Sequence, residues 1–209
     1  MAHPTGTLPT SPSSRMTFEE FLGSPYERAE WVDGEVFELS PENLEHTGIV
    51  GFLYPLLAVF VERHDLGRVL LNFLMKTGPH LAGRVPDILF VAREHEHRVR
   101  RNHLHGPADL AIEVVSPDSA VRDREAKLRE YEEGGVREYW LIDPLEGRAR
   151  FFAQEEGRYR PFPVGPDGVV RSRALVGLWL RPEWLLVEPR PRLQDVFRAW
   201  GLEGPESGR

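Results

Sequence analysis

The sequence predicts an α/β fold in which helices flank a mixed central sheet, and three observations carry this prediction. Strand-like apolar runs alternate with helical periodicity in the middle of the chain. The run from Asp109 to Val115 is apolar almost throughout, which is typical of a strand buried on both faces. A segment of helical pattern follows it and ends at Gly134-Gly135, just before a further strand at 136–142.

The 209 residues suffice for one ordinary domain, and 41% hydrophobic with 28% charged residues is the composition of a globular protein. Residues 1–15 are rich in Pro, Ser and Thr, so we expect a disordered tail there. A single domain over 16–209 then follows, with its core at about 43–144 and a C-terminal extension at 145–209. The absence of cysteine excludes disulfides, thiolate metal sites and a cysteine nucleophile.

Charge and hydropathy restrict the partners. The formal net charge of −7 argues against a protein that coats nucleic acid non-specifically, but not against an enzyme with a local basic groove. Only two lysines occur, Lys76 and Lys127, so each is a candidate for a position that needs a compact amine. The start of the chain lacks an apolar signal core, and the apolar run at 49–61 is short for a bilayer. We therefore expect a cytoplasmic protein without a membrane partner.

The N-terminal half gives one element after another. Residues 17–20 read as a capping box that opens a short helix, and Asp33-Gly34 marks a hairpin. Apolar spacing over 43–64 indicates a largely buried helix. The segments 69–75 and 88–91 then read as strands.

The C-terminal half continues the alternation. We expect an exposed loop or short helix at 93–105, a helix at about 119–133, and a hairpin at 148–162. Apolar residues at i, i+3, i+4 and i+7 over 192–200 indicate a final helix that docks on the core.

Three ionisable residues lie where packing alone would not place them. Asp87 precedes one strand, Glu113 lies within another, and Lys127 lies in the following helix. A buried carboxylate is costly unless it is paired or bound to a metal. If the two strands are neighbours, both acids meet at one end of the sheet, where Mg²⁺ or Mn²⁺ would relieve their repulsion.

Lys127 has two interpretations. A helix that folds back antiparallel to its strand brings Lys127, about 12 Å along the helix, level with Glu113. The alternative is a surface ion pair with Asp123, four residues earlier.

These segments resemble the PD-(D/E)XK nuclease superfamily, and more closely a bacterial family of restriction-endonuclease-like proteins. The resemblance covers roughly Met16 to Asp143 and is most specific from Pro107 to Pro144. It rests on RVPDILFV at 84–91, PADLAIEVVSP at 107–117, and further motifs around Asp123-x-x-x-Lys127 and 135–144, with EWVDGE at 30–35 and His46 upstream. It implies a restriction-endonuclease-like mixed sheet flanked by helices, with a C-terminal hairpin and helix added.

One position departs from the superfamily pattern, which has lysine two residues after the second acid, where this chain has Val115. The resemblance implies that Lys127 supplies the amine instead. It further implies a metal-dependent endonuclease in which Asp87, Glu113 and a backbone carbonyl near Val114 hold Mg²⁺ or Mn²⁺, and the DNA backbone is hydrolysed. Lys127 would orient the water or stabilise the transition state.

Further residues are secondary candidates for the site or for contacts with nucleic acid. His46 could contact water or phosphate in the same site or be a structural histidine, and Glu35 and Glu30 are further candidates. Arg98, Arg100 and Arg101 lie in one polar segment. This segment is either a loop that contacts nucleic-acid phosphates or a loop that is only solvated.

Two further expectations concern assembly and activity. A homodimer is expected because cutting two strands requires two sites. The alternative function is a non-catalytic nucleic-acid-binding or interaction protein that retains the fold, which Val115 and the acidic net charge favour.

Overall fold

The computed structural model describes residues 15–116 and 122–202, with side chains in the helix that begins at Arg122 described from Glu125 onward. Apart from Arg15, the expected disordered tail lies outside the described residues. The expected helix start near Ser119 lies outside them as well.

The elements follow in chain order. They are α1 (Phe18–Leu22), β1 (Ala29–Val32), β2 (Glu35–Glu38), α2 (Leu44–Arg63), β3 (Gly67–Leu71), β4 (Met75–Lys76), β5 (Gly83–Arg84), β6 (Ile88–Ala92), a 3₁₀ helix (Arg93–Arg98), β7 (Leu104–His105), β8 (Leu110–Val114), α3 (Arg122–Glu133), β9 (Glu138–Asp143), β10 (Arg148–Glu155), β11 (Arg158–Pro161), β12 (Val170–Arg171), β13 (Trp179–Leu180), α4 (Glu183–Leu186) and α5 (Leu193–Ala199).

Local signals determine the first elements. The side chain of Thr17 accepts a hydrogen bond from the Glu20 amide while the Glu20 carboxylate accepts from the Thr17 amide, so the predicted capping box is present. The β1–β2 hairpin turns at Asp33 and Gly34, both with positive φ (51° and 88°). This conformation is the reason an Asp-Gly pair marks such turns.

Helix α2 is the central buried helix. Its N-cap is Asn43, whose side chain accepts a hydrogen bond from the His46 amide at 2.8 Å. By length and composition α2 could cross a membrane, but side chains such as Leu53 and Leu56 pack against the central sheet, as they do in the core helix of a globular protein.

A mixed six-stranded sheet organises the molecule, with strand order β11-β10-β9-β8-β6-β3. Strands β8 and β9 are parallel, and the other neighbours are antiparallel. Helix α3 is the crossover that parallel neighbours require. The C-terminal hairpin β10–β11 therefore continues the central sheet through β9.

A second, five-stranded sheet has the order β2-β1-β5-β4-β7. The prediction of a single strand at 69–75 is wrong, because the extended conformation is interrupted at Asn72, where φ is 46°. Residues before the break form β3 of the central sheet, and Met75 and Lys76 form β4 of the smaller sheet.

Two apolar cores cover the two faces of the central sheet. One core packs α2 and the C-terminal elements against Ile88, Ile112 and Trp140. It includes Val196 of α5, so the predicted docking of that helix is confirmed. The other core contains Tyr131 of α3 and lies on the opposite face of the sheet.

A buried cluster of carboxylates and a lysine at one end of the central sheet

Strand pairing brings Asp87 beside Glu113. Strands β6 and β8 are antiparallel with Ile88 opposite Ile112, so the residue before β6, Asp87, continues the register opposite Glu113. The Val114 amide donates a hydrogen bond of 2.7 Å to Asp87 Oδ2. Both acids are buried, at 7% exposure each. The two strands are thus neighbours, as the convergence of these acids requires.

Lys127 reaches the same place from α3. Its Nζ lies 3.1 Å from Glu113 Oε2 and 3.3 Å from Glu30 Oε1, and the residue is buried. The residues of a surface ion pair would be exposed. The structure therefore favours the interpretation that places Lys127 beside Glu113. The side chain of Asp123, the alternative partner, lies outside the described residues.

Glu113 is bonded through both oxygens. The Tyr131 hydroxyl donates a 2.6 Å hydrogen bond to Oε1, while Lys127 donates to Oε2. Tyr131 lies one helical turn after Lys127, and positions four apart project from the same side of a helix. Helix α3 therefore presents both donors to one carboxylate.

Glu30 is a more central residue than the sequence indicated. It is 3% exposed on β1 and accepts hydrogen bonds from Arg84 Nη1 at 2.6 Å and from the Val85 amide at 3.1 Å. Arg84 also donates to both carboxylate oxygens of Glu130, at 2.7 and 2.9 Å. A charged residue at an inward position of a short strand was the signal for Glu30, but nothing in the sequence paired it with Arg84.

His46 lies on the Asp87 side of the cluster, in the first turn of α2. Its Nε2 is 3.1 Å from Asp87 Oδ1 and 3.7 Å from Glu42 Oε2. Burial tends to lower the pKa of His46, but the hydrogen bond and charge of Asp87 outweigh burial and raise it. His46 thus contacts the carboxylate of Asp87 directly.

Burial and charge shift two glutamates in opposite directions. Burial, reinforced by Asp87 and Glu30, raises the pKa of Glu113 to about 8 despite Lys127 and Tyr131. Burial also tends to raise the pKa of Glu30, but Lys127 and Arg84 outweigh it and lower the pKa of that carboxyl. Burial and the neighbouring carboxylates thus disfavour the charged form of Glu113, whereas Lys127 and Arg84 favour the charged form of Glu30.

Two predicted sets of residues are not brought to this cluster. Glu35 is exposed on β2, and its side chain forms no hydrogen bond or ion pair with the residues that the structure describes. Its selection as a site residue therefore lacks support from the fold, and Glu30 of the same hairpin lies in the cluster instead.

The basic loop lies at the other end of β6. Strand β6 leads away from Asp87 over about 16 Å, at ~3.3 Å per residue, before the 3₁₀ helix begins. Arg98 there donates a 2.8 Å hydrogen bond to the Pro107 carbonyl, while Arg100 and Arg101 are exposed. None of the three arginines forms an ion pair or a side-chain hydrogen bond with Asp87, Glu113 or Glu30 among the described residues.

The donor set fits a divalent ion through two side chains. Asp87 and Glu113 offer carboxylate oxygens, which Mg²⁺ and Mn²⁺ prefer. Within residues 15–116 and 122–202, three or more His, Asp or Glu side chains do not gather in a metal-binding arrangement. Additional ligands would have to be backbone carbonyl or water oxygens. The facing positions of Asp87 and Glu113, where two adjacent buried negative charges are disfavoured, are the observation that fits such an ion.

Val115 occupies the position where the superfamily has lysine. It is 4% exposed and packs in the apolar core with Tyr131 and Tyr139. This position therefore offers no polar group to the site, and Lys127 is the amine beside Glu113.

Comparisons with known proteins give a family and a fold. The family model described as "Uma2: Putative restriction endonuclease" matches residues 17–188. The crystal structure of a "putative nuclease belonging to DUF820" from Anabaena variabilis ATCC 29413 matches with a TM-score of 0.63 and 21% identity, over 88% of this chain and 98% of that chain. No curated protein matches. The predicted restriction-endonuclease-like α/β fold is confirmed.

Proposed function

The chain belongs to the Uma2 family of restriction-endonuclease-like proteins, and on that premise we propose that it is a metal-dependent endonuclease that hydrolyses DNA phosphodiester bonds. One observation carries the proposal. Asp87 and Glu113 lie opposite each other on adjacent strands, and Lys127 Nζ lies 3.1 Å from Glu113. Two acids and one amine from three separate elements meet where a phosphodiester and a water could be held together.

Asp87, Glu113 and a backbone carbonyl near Val114 are the groups that would hold Mg²⁺ or Mn²⁺. When bound, the ion lowers the pKa of a water and offsets charge that develops on the phosphodiester. Two facing buried carboxylates are costly without such a cation. A structural role alone would be filled more stably by apolar residues, which supports a functional reason for this arrangement.

The chain's own residues position the reacting groups. Lys127, held between Glu113 and Glu30, orients the attacking water or stabilises the charge of the transition state. His46 fixes the orientation of Asp87 from the α2 side. The water oxygen bonds to phosphorus and one P–O ester bond breaks, which leaves a phosphate monoester and a hydroxyl on the departing strand end.

Cleavage by matched variants tests the proposal. We expect the wild-type protein to cut plasmid DNA with Mg²⁺ or Mn²⁺, and Asp87→Asn and Glu113→Gln to lose more than about a hundredfold in rate. Asp109→Asn is the control, because Asp109 is also buried and on the same face of β8 as Glu113, but at the other end of the strand. Both site variants cutting as fast as the wild-type protein would contradict the assignment.

A second candidate function is a non-catalytic nucleic-acid-binding or interaction protein that keeps the fold. The burial of Val115 favours it, because an apolar residue that packs in the core stands where the superfamily has its lysine. Under this alternative, Mn²⁺ leaves the melting temperature of the wild-type protein unchanged. Under the nuclease proposal, Mn²⁺ raises it and Asp87→Asn abolishes the increase.

DNA as substrate and a homodimeric assembly complete the proposal. A twofold dimer would supply one site for each strand of a duplex. Sedimentation of the protein with and without duplex DNA measures this, and a monomer in both conditions would remove the dimer from the proposal. Cytoplasmic location and a single domain over 16–209 remain part of the same proposal.

A further inference from the structure

The register of the central sheet places an arginine in line with the site. Glu113 of β8 pairs with Leu141 of β9, and Leu141 pairs with Arg150 of β10. Directly paired residues project from the same face of a sheet. Asp87, Glu113, Leu141 and Arg150 thus form one row across four strands.

The distance along this row suits a second contact with one nucleic-acid strand. Neighbouring strands are ~4.8 Å apart, so the backbone of Arg150 lies about 10 Å from that of Glu113. At an axial rise of ~3.4 Å per nucleotide, this separation corresponds to about three nucleotides. The long arginine side chain brings its charge within reach of a neighbouring phosphate.

Arg150 differs from the other cations around the site because none of the residues that the structure describes forms an ion pair with it. Lys127 and Arg84 are both paired with buried carboxylates, and Arg148 forms an ion pair with Glu146. Arg150 is half-buried, and its Nε is a buried donor without a hydrogen-bond partner among the described residues. A buried N–H without a partner is costly, and a phosphate would accept a hydrogen bond from Nε and a second one from the same guanidinium.

We propose that Arg150 binds a phosphate of the DNA strand that occupies the site, a few nucleotides from the bond to be cut. This inference rests on the proposed nuclease function and adds a substrate-binding residue on β10 to it. The contact matters because the protein is acidic overall, at −7, and two further carboxyl groups, Asp87 and Glu30, lie near Glu113. Local attraction for a polyanion must come from a cation that is not already neutralised.

Binding to duplex DNA in EDTA tests this contact without cleavage. Arg150→Gln keeps the polar stem but removes the charge, and we expect about a tenfold weaker affinity. The slope of log affinity against log salt concentration should fall by about one, as for the loss of one phosphate contact. Arg150→Lys keeps the charge and should keep the slope.

Arg160→Gln is the matched control on the same hairpin. Arg160 is exposed and pairs with Ala153, so it projects from the other face of the sheet and lies farther from Glu113. Its substitution should leave affinity and slope unchanged.

The outcomes distinguish failure of the Arg150 contact from failure of the proposed nuclease function. If the wild-type protein binds DNA and Arg150→Gln binds with the same affinity and slope, the phosphate contact is wrong and the nuclease proposal stands. If the wild-type protein does not bind DNA even at low salt, the nuclease proposal itself fails and the contact with it. Melting curves verify that each variant is folded.

Discussion

Replacing Lys127 with Met removes the central cation of the buried cluster and leaves Glu30 and Glu113 without it. The two carboxylates lie 3.3 and 3.1 Å from Lys127 Nζ, and all three residues are buried. Removing one partner of a buried ion pair costs about 3–5 kcal/mol. We expect Lys127→Met to lower the free energy of unfolding by an amount in this range at pH 9, in metal-free buffer.

The cost should depend on pH because Glu113 can take up a proton. Its pKa in the folded protein is raised to about 8, above its ordinary value of about 4.3. The folded protein therefore keeps a proton that the unfolded chain has released, and metal-free stability falls as the pH rises from about 4 to about 8. Without Lys127 the pKa rises further, so the fall continues above pH 8. The cost of Lys127→Met should thus be smaller at pH 6 than at pH 9.

Urea denaturation at both pH values measures these differences. Arg129→Met is the control, since Arg129 lies on the same helix and pairs with Glu125 at the exposed i, i+4 spacing, where a pair contributes about 0.5 kcal/mol at most. Adding Glu113→Gln to Lys127→Met should recover much of the loss, because the uncompensated charge is removed. A cost for Lys127→Met no larger than that of Arg129→Met, and equal at both pH values, would refute the buried placement of Lys127.

Two further substitutions test neighbouring contacts. Tyr131→Phe removes the 2.6 Å hydrogen bond to Glu113 Oε1. We expect a loss of about 1 kcal/mol in the free energy of unfolding, and a larger effect on kcat than on KM. As a control, Tyr159→Phe loses a hydrogen bond to the Val136 carbonyl and should change stability but not kcat. Glu138 is fully buried and accepts bonds from two side chains and two backbone amides, so Glu138→Ala should cost about 3 kcal/mol by urea denaturation and increase amide exchange at 172–174. A loss below about 1 kcal/mol for Glu138→Ala would contradict its role as a buried anchor.

Part of the site was predictable from the sequence because it violates apolar patterning. Asp87 and Glu113 interrupt segments that otherwise read as core, and a buried charge requires a partner. Lys127 lies in the polar helix that follows the second of these segments. That logic selected Asp87 and Glu113, but the adjacency of their strands and the atomic contacts depend on tertiary packing. Tyr131, for example, read as a core aromatic, and only the structure shows its hydroxyl on Glu113.

Residues of the smaller sheet were beyond sequence reasoning. Glu30 and Glu35 both lie in one hairpin with similar patterns, and the docking of that hairpin decides which carboxylate is buried. Arg84 reaches Glu30 from a strand of only two residues, too short to show a period. The basic segment at 93–105 reads only as an exposed loop or short helix, and its place relative to the carboxylates depends on the pairing of β7 with β4.

The sequence by itself determined the helices, the tight turns and the apolar strands, because these depend on interactions between residues a few positions apart. It also indicated that Asp87 and Glu113 would be buried, since their neighbours in the chain are apolar. Tertiary structure decided which carboxylates share Lys127, which face Arg150 occupies and where the loops end up. Those outcomes depend on strand register and on contacts between segments distant in the chain, and neither is encoded in a local pattern.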